Sequence, residues 1–167
     1  MNLKDAYNTI ARDWVADHSD DTWWQTGTNL FLDLLPPHTK ILDVGCGAGV
    51  KTKYISTKGY QVEGIDLAEN MIEIAKERNP DVEFSVFDIY EIDTFPKKFD
   101  GIFAQAVLLH IEKKRVVEVL KKFESILNDD GLASSMSVNG RKLALEKFSY
   151  DRFCQGWKAV LDEVVQK

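Results

Sequence analysis

LDVGCGAG, residues 42–49, reads as the end of a buried strand running through Gly45, Gly47 and Gly49 into a helix. A backbone without Cβ turns sharply and lets a ligand lie against the main chain. The helix that follows offers unpaired N–H groups. In an open α/β sheet such a loop stands at the carboxyl ends of the strands, at the switch point where ligands bind. Glycines also build ordinary tight turns, so the spacing has to decide. The dinucleotide fingerprint is GxGxxG with an acid roughly 20 residues on, whereas this chain has GxGxG, with Val50 where a third glycine would stand. Asp43 precedes the first glycine by two positions. A carboxylate there suits a ligand carrying an ammonium and repels a pyrophosphate, which weighs against a nicotinamide nucleotide.

Outward from this loop, short apolar runs alternate with helical segments. KILDV, YQVEGI, VEFSVF, FDGIFA and GLASSMSV read as five strands, with helices at about 48–58, 68–78 and 112–127 between them. The last helix places Val116, Val117, Leu120, Phe123 and Leu127 on one side. Strands alternating with helices imply right-handed βαβ units and a mainly parallel, Rossmann-like doubly wound α/β sheet. Only 11 residues separate Phe87 from Phe99, which predicts a loop or single turn rather than a crossover helix. Upstream, Leu3, Tyr7, Ile10 and Trp14 share one helical face, and a second helix from about Thr22 to Leu35 stops at Pro36-Pro37. Downstream, Phe153, Trp157, Val160 and Val164 mark a final amphipathic helix. The expectation is one domain: a helical cap over 1–38, an α/β core over 39–138 and a C-terminal helix over 139–167.

Two further acids end the next strands. Asp66 lies 21 residues beyond Gly45, where a carboxylate can accept hydrogen bonds from ribose hydroxyls. It is equally placed to cap the helix starting LAENM. Asp88 closes SVFD and can accept a hydrogen bond from an adenine amino group, with Leu67 and Ile89 sandwiching the ring. Taken singly, Asp88 is as well explained as a turn residue. Three acids ending three successive strands beside one glycine loop favour a shared site.

LDVGCGAG, EGIDLAENM, FDIYE and FDGIFAQAVLLHI together resemble the ordered motifs of class I S-adenosylmethionine-dependent methyltransferases, over residues 39–138. The resemblance implies that Gly45, Gly47 and Gly49 line the methionine part of S-adenosyl-L-methionine, with Asp43 and Cys46 also among the cofactor-binding residues. It places Asp66 on the ribose, Asp88 and Ile89 with Leu67 at adenine, and Gln105 beside the methionine end, with Met71 also among the cofactor-binding residues. The family's N-terminal helix often folds over the cofactor, which would bring Tyr7 and Trp14 near the sulfonium. Simple packing of an amphipathic helix explains the same two residues. The family usually closes its sheet with two further strands, and the pattern here stops after one helix. The expectation is a sheet lacking them, with an exposed edge that favours a homodimer.

The implied function is methyl transfer to a small-molecule acceptor; the alternative is a cofactor-binding module without catalysis of its own. His110, just past the fourth strand, is the nearest candidate base. The rings of Trp23, Trp24 and Phe31 are candidates for an acceptor pocket, though core packing accounts for them as well. Composition narrows the partners. Lys and Arg number 21 against 27 Asp and Glu, for a net charge of -6, which disfavours a nucleic-acid partner. The chain also reads AQAV where a nucleic-acid methyltransferase carries an N/D-P-P-Y/F-type tetrapeptide. No metal site is expected from its 2 cysteines. With neither an apolar span nor a signal-like start, no membrane contact and a cytoplasmic location are expected.

Overall fold

The computed structural model describes residues 2–128, which fall in one compact unit. Its elements, numbered in chain order, are α1 (Leu3–Asp17), α2 (Gln25–Leu32), β1 (Lys40–Val44), α3 (Val50–Thr57), β2 (Gln61–Asp66), α4 (Glu69–Arg78), β3 (Glu83–Val86), β4 (Gly101–Phe103) and α5 (Val116–Ser125). The four strands are parallel, in the order β3-β2-β1-β4. The chain therefore lays down β1, β2 and β3 in one direction and returns to place β4 on the other side of β1. That reversal between β1 and β4 is the switch point at which ligands bind in such sheets.

The strands are short and apolar because both faces of the sheet are covered. Leu42 and Val44 of β1 and Ile65 of β2 pack with Phe99, Val119, Phe123 and Ile126. Elsewhere, Ile72 and Ala75 of α4 pack with Val82, Phe84 and Cys46. Between β3 and β4 lies only a 3-10 turn, Ile89–Thr94, as the short spacing predicts. Asn2 caps α1, its side chain accepting from Asp5 N–H at 2.9 Å. α4 opens with Glu69 and closes with Lys76 and Arg78, charges that complement the helix dipole.

The described residues contain four strands. The fifth predicted strand and the C-terminal helix, 139–167, lie outside them. Two readings of helical faces and one helix boundary are corrected. In α1 the packed residue is Ala11, set among Ala68, Met71 and Ile74, with Tyr7 and Val15 beside them. Leu3, Ile10 and Trp14 stay exposed. In α5 the inward residues are Val119 and Phe123, followed by Ile126, and Val117 and Leu120 face out. Two adjacent valines, Val116 and Val117, made two faces equally apolar in the sequence. α2 begins at Gln25, because Trp24 Nε1 donates to the Asp21 carbonyl at 2.7 Å and holds the preceding residues in a turn. No helix among the described residues is long and apolar enough to cross a membrane.

Candidate active site

A cavity of about 280 Å³ opens at the carboxyl ends of the strands, walled by the glycine loop, the ends of β2, β3 and β4, and α1. Its size is near the lower end of the roughly 300–1,000 Å³ typical of ligand sites. The loop is tied down from below: Gly45 N–H and Cys46 N–H both donate to the Ile65 carbonyl, at 2.8 and 3.0 Å. Gly45 leaves room for the segment after β4, since a Cβ there would stand 2.7 Å from Val107 Cγ2. Gly47 has φ +54 and nothing within 4 Å of where a Cβ would be, so its open side belongs to the cavity.

Asp66 ends β2 beneath this loop. One carboxylate oxygen accepts from Gly47 N–H at 3.0 Å and the other from Ala68 N–H at 2.9 Å. It lines the cavity while accepting from the N–H of Ala68, the residue just before α4. Burial raises its pKa, and the N–H donors of Ala68 and Gly47 oppose that rise.

Two residues of the loop motif sit elsewhere than expected. Asp43 does not line the cavity. Its carboxylate is buried and accepts from Thr52 Oγ1 at 2.6 Å, and burial pushes its pKa up to about 6. Strand alternation explains this: Leu42 and Val44 point to one face, so Asp43 points to the other, toward α3. Gly49 is also outside the cavity, backed closely against Phe84 and Asn79. Cys46 does line the cavity, but its thiol is buried and pushed well up in pKa by that burial, the condition of an unreactive thiol.

At the β3 end, Asp88 lines the cavity and caps the 3-10 turn, accepting from Tyr90 N–H at 2.8 Å. Leu67, Met71 and Ile89 complete this wall, with Tyr90 and Phe87. At the β4 end stands Gln105, whose Oε1 is buried and has no hydrogen-bond partner among the described residues. A buried acceptor left unsatisfied costs roughly 1–3 kcal/mol, which marks it as a group awaiting a donor. Lys51, in the first turn of α3, also lines the cavity and makes no ion pair among the described residues. Burial lowers its pKa.

The remaining wall is α1. Asn8 fastens it to α4: Asn70 N–H donates to Asn8 Oδ1 at 2.9 Å, and Asn8 Nδ2 donates to Glu69 at 2.8 Å. Tyr7 and Trp14 thereby face the cavity, their rings edge-on at 6.0 Å between centroids. The Tyr7 hydroxyl lies 3.0 Å from His110 Nε2. Burial and the charge of Asp66 both raise the Tyr7 pKa. Of the candidate acceptor aromatics, Trp23 and Trp24 line the cavity. Phe31 packs on Phe103 at 5.3 Å instead and is not in its wall.

The sequence reading missed Lys51, Tyr90, Ala106 and Val107. The position of Lys51, two residues after Gly49, signals a cation beside the loop. Ala106, at φ +61 without being glycine, has no such signal.

A family model described as a methyltransferase domain matches residues 41–131. The chain is 32% identical over 99 residues to a putative methyltransferase of Geobacillus sp., covering 56% of this chain and 40% of that protein. It is 44% identical over 86 residues to phosphoethanolamine N-methyltransferase 1 of Zea mays, covering 48% of this chain and 17% of that protein. The chain thus spans less than half the length of either relative. A TehB-like SAM-dependent methyltransferase from Corynebacterium glutamicum superimposes with a TM-score of 0.62 at 27% identity, covering 75% of this chain and 70% of that one.

Proposed function

The chain belongs to the class I S-adenosylmethionine-dependent methyltransferases, and on that premise we propose that its cavity binds S-adenosylmethionine and methylates a small-molecule acceptor. The order of polar groups along the sheet edge carries this reading. Asp88 stands at β3, Asp66 at β2, the glycine loop with Lys51 at β1, and Gln105 at β4, following the strand order β3-β2-β1-β4. Adenine, ribose and the amino-acid end of the cofactor follow one another in the same line.

The residues fit that ligand in chemistry as well as in order. Asp66 is pre-oriented by two backbone donors, so its lone pairs toward the cavity are fixed for ribose hydroxyls. The unsatisfied Gln105 Oε1 matches an ammonium N–H, and the unpaired Lys51 matches a carboxylate. When bound, S-adenosylmethionine supplies an electrophilic methyl group on a sulfonium. The protein contributes positioning and exclusion of water. α1 closes one side through Tyr7 and Trp14, and His110 is placed to take a proton from the acceptor, its imidazole oriented by the Tyr7 hydroxyl.

The test is release of S-adenosylhomocysteine from S-adenosylmethionine in the presence of amine, phenol and thiol acceptors. Acceptor-dependent release supports the proposal. Tight nucleoside binding with no release from any acceptor contradicts it.

A further inference from the structure

The cavity continues beyond the Tyr7–His110 pair along α1. His18 stacks on Trp14 with 4.0 Å between ring centroids, and the turn after α1 brings Asp21 and Trp23 to the same cavity. Trp14 is 42% exposed and Trp23 68%, so the fold leaves much of their ring area unburied. The Asp21 side chain is half-buried and makes no hydrogen bond or ion pair among the described residues; its backbone N–H donates to the His18 carbonyl and its own carbonyl accepts from Trp24 Nε1. Lys4, also in the cavity wall, is tied to Glu69. Lys51, in the helix after the glycine loop, lines the same cavity.

Asp21 is thus a carboxylate without a side-chain partner among the described residues, in a cavity wall that also holds two partly exposed indoles, one face of Trp14 being covered by His18. The negative faces of indole rings attract organic cations, and an unpaired carboxylate adds the complementary charge. A neutral phenol or thiol would leave Asp21 unpaired, and an anionic acceptor would be repelled by it.

We propose that this part of the cavity is the acceptor subsite and that it takes a small amine, bound as its ammonium ion between Trp14, Trp23 and Asp21. The assignment rests on the methyltransferase reading of the cavity. In the reaction the ammonium gives one proton to His110, and the freed nitrogen lone pair forms the N–C bond. The S–C bond breaks and its electron pair stays on sulfur, giving the neutral thioether. The proton on His110 passes to water. The product is again an ammonium ion and keeps its place over the rings until it leaves.

The test uses two probes of one shape that differ in charge: choline and 3,3-dimethylbutan-1-ol. Each is titrated into the full chain, with and without saturating S-adenosylhomocysteine, and followed by tryptophan fluorescence and calorimetry. Choline is expected to bind at least about tenfold more tightly than its neutral counterpart. Asp21→Asn and, separately, Trp23→Leu should bring the two probes toward parity while leaving S-adenosylhomocysteine affinity unchanged. Neither side chain makes a hydrogen bond among the described residues and Trp23 is largely exposed, so the variants should fold. Equal binding of the probes in a protein that binds S-adenosylhomocysteine would overturn the acceptor assignment alone. Failure to bind S-adenosylhomocysteine would overturn the underlying reading and the acceptor assignment with it.

Discussion

The Tyr7 hydroxyl, on the N-terminal helix, lies 3.0 Å from Nε2 of His110, just past β4 and 103 residues away in sequence. Two segments with no backbone pairing between them are thus joined at the cavity by one polar contact. The same contact orients the candidate base, while α1 itself is held to α4 by Asn8.

Tyr7→Phe keeps the ring and its edge contact with Trp14 and removes that hydroxyl. A neutral hydrogen bond contributes roughly 0.5–1.5 kcal/mol. Turnover should therefore fall about 2- to 12-fold at saturating acceptor, with the thermal midpoint nearly unchanged. Steady-state kinetics and a melting curve check both parts. An unaffected turnover number would remove Tyr7 from the role assigned to it.

Asp66→Ala should weaken S-adenosylhomocysteine binding most. Two ribose hydrogen bonds to a charged acceptor are worth roughly 1.5–3 kcal/mol each, so the dissociation constant should rise by on the order of 100-fold or more. Calorimetry reads the change. The variant also loses the acceptor that holds Gly47 N–H, so its folded state is confirmed first by circular dichroism.

Asp43 should make stability depend on pH. Its carboxyl is raised from 3.8 to about 6 in the folded protein, chiefly by burial. The folded state thus favours the protonated form. Stability from this group is fully present below its unfolded value and is lost as pH rises through the folded one. The loss is on the order of 3 kcal/mol. Relative to the parent chain, Asp43→Asn should gain stability by about that amount between pH 3.5 and 7.5 in urea unfolding. A difference that stays flat across the interval would show that the buried carboxylate is not raised.

Gly47→Ala meets no atom in the free protein, so space alone does not forbid it. The left-handed φ of +54 costs a side chain roughly 1–2 kcal/mol. Its new methyl would also stand in the cavity. A modest drop in melting temperature with a larger drop in S-adenosylhomocysteine affinity is expected. A loss of stability without loss of affinity would make the loop structural only.

Much of this fold was legible in the sequence because its signals are local. The strand KILDV running into GCGAG, and the apolar runs ending in Asp66 and Asp88, each announce an element and its ligand edge within ten residues. What was not legible depended on which face turns inward. Val116 beside Val117 gave α5 two apolar stripes, and only packing against Phe99 and the 3-10 turn selects Val119, Phe123 and Ile126. In α1 the apolar stripe was visible, yet its Tyr7 and Trp14 serve a cavity wall while small Ala11 makes the close approach to α4. The direction of Asp43 could have been read from strand alternation, since its neighbours Leu42 and Val44 are the core residues. Gln105 was named from the sequence, and its three-dimensional setting adds that its buried Oε1 has no partner among the described residues.

The central claim is that this cavity holds a nucleoside whose amino-acid end faces the β1 and β4 side. Its most direct test is calorimetric titration of the full chain with S-adenosylhomocysteine, with NAD as the control. The account predicts selective binding of S-adenosylhomocysteine in the micromolar range and no detectable heat from NAD. No binding of S-adenosylhomocysteine by the folded protein, or equal binding of both ligands, would contradict it.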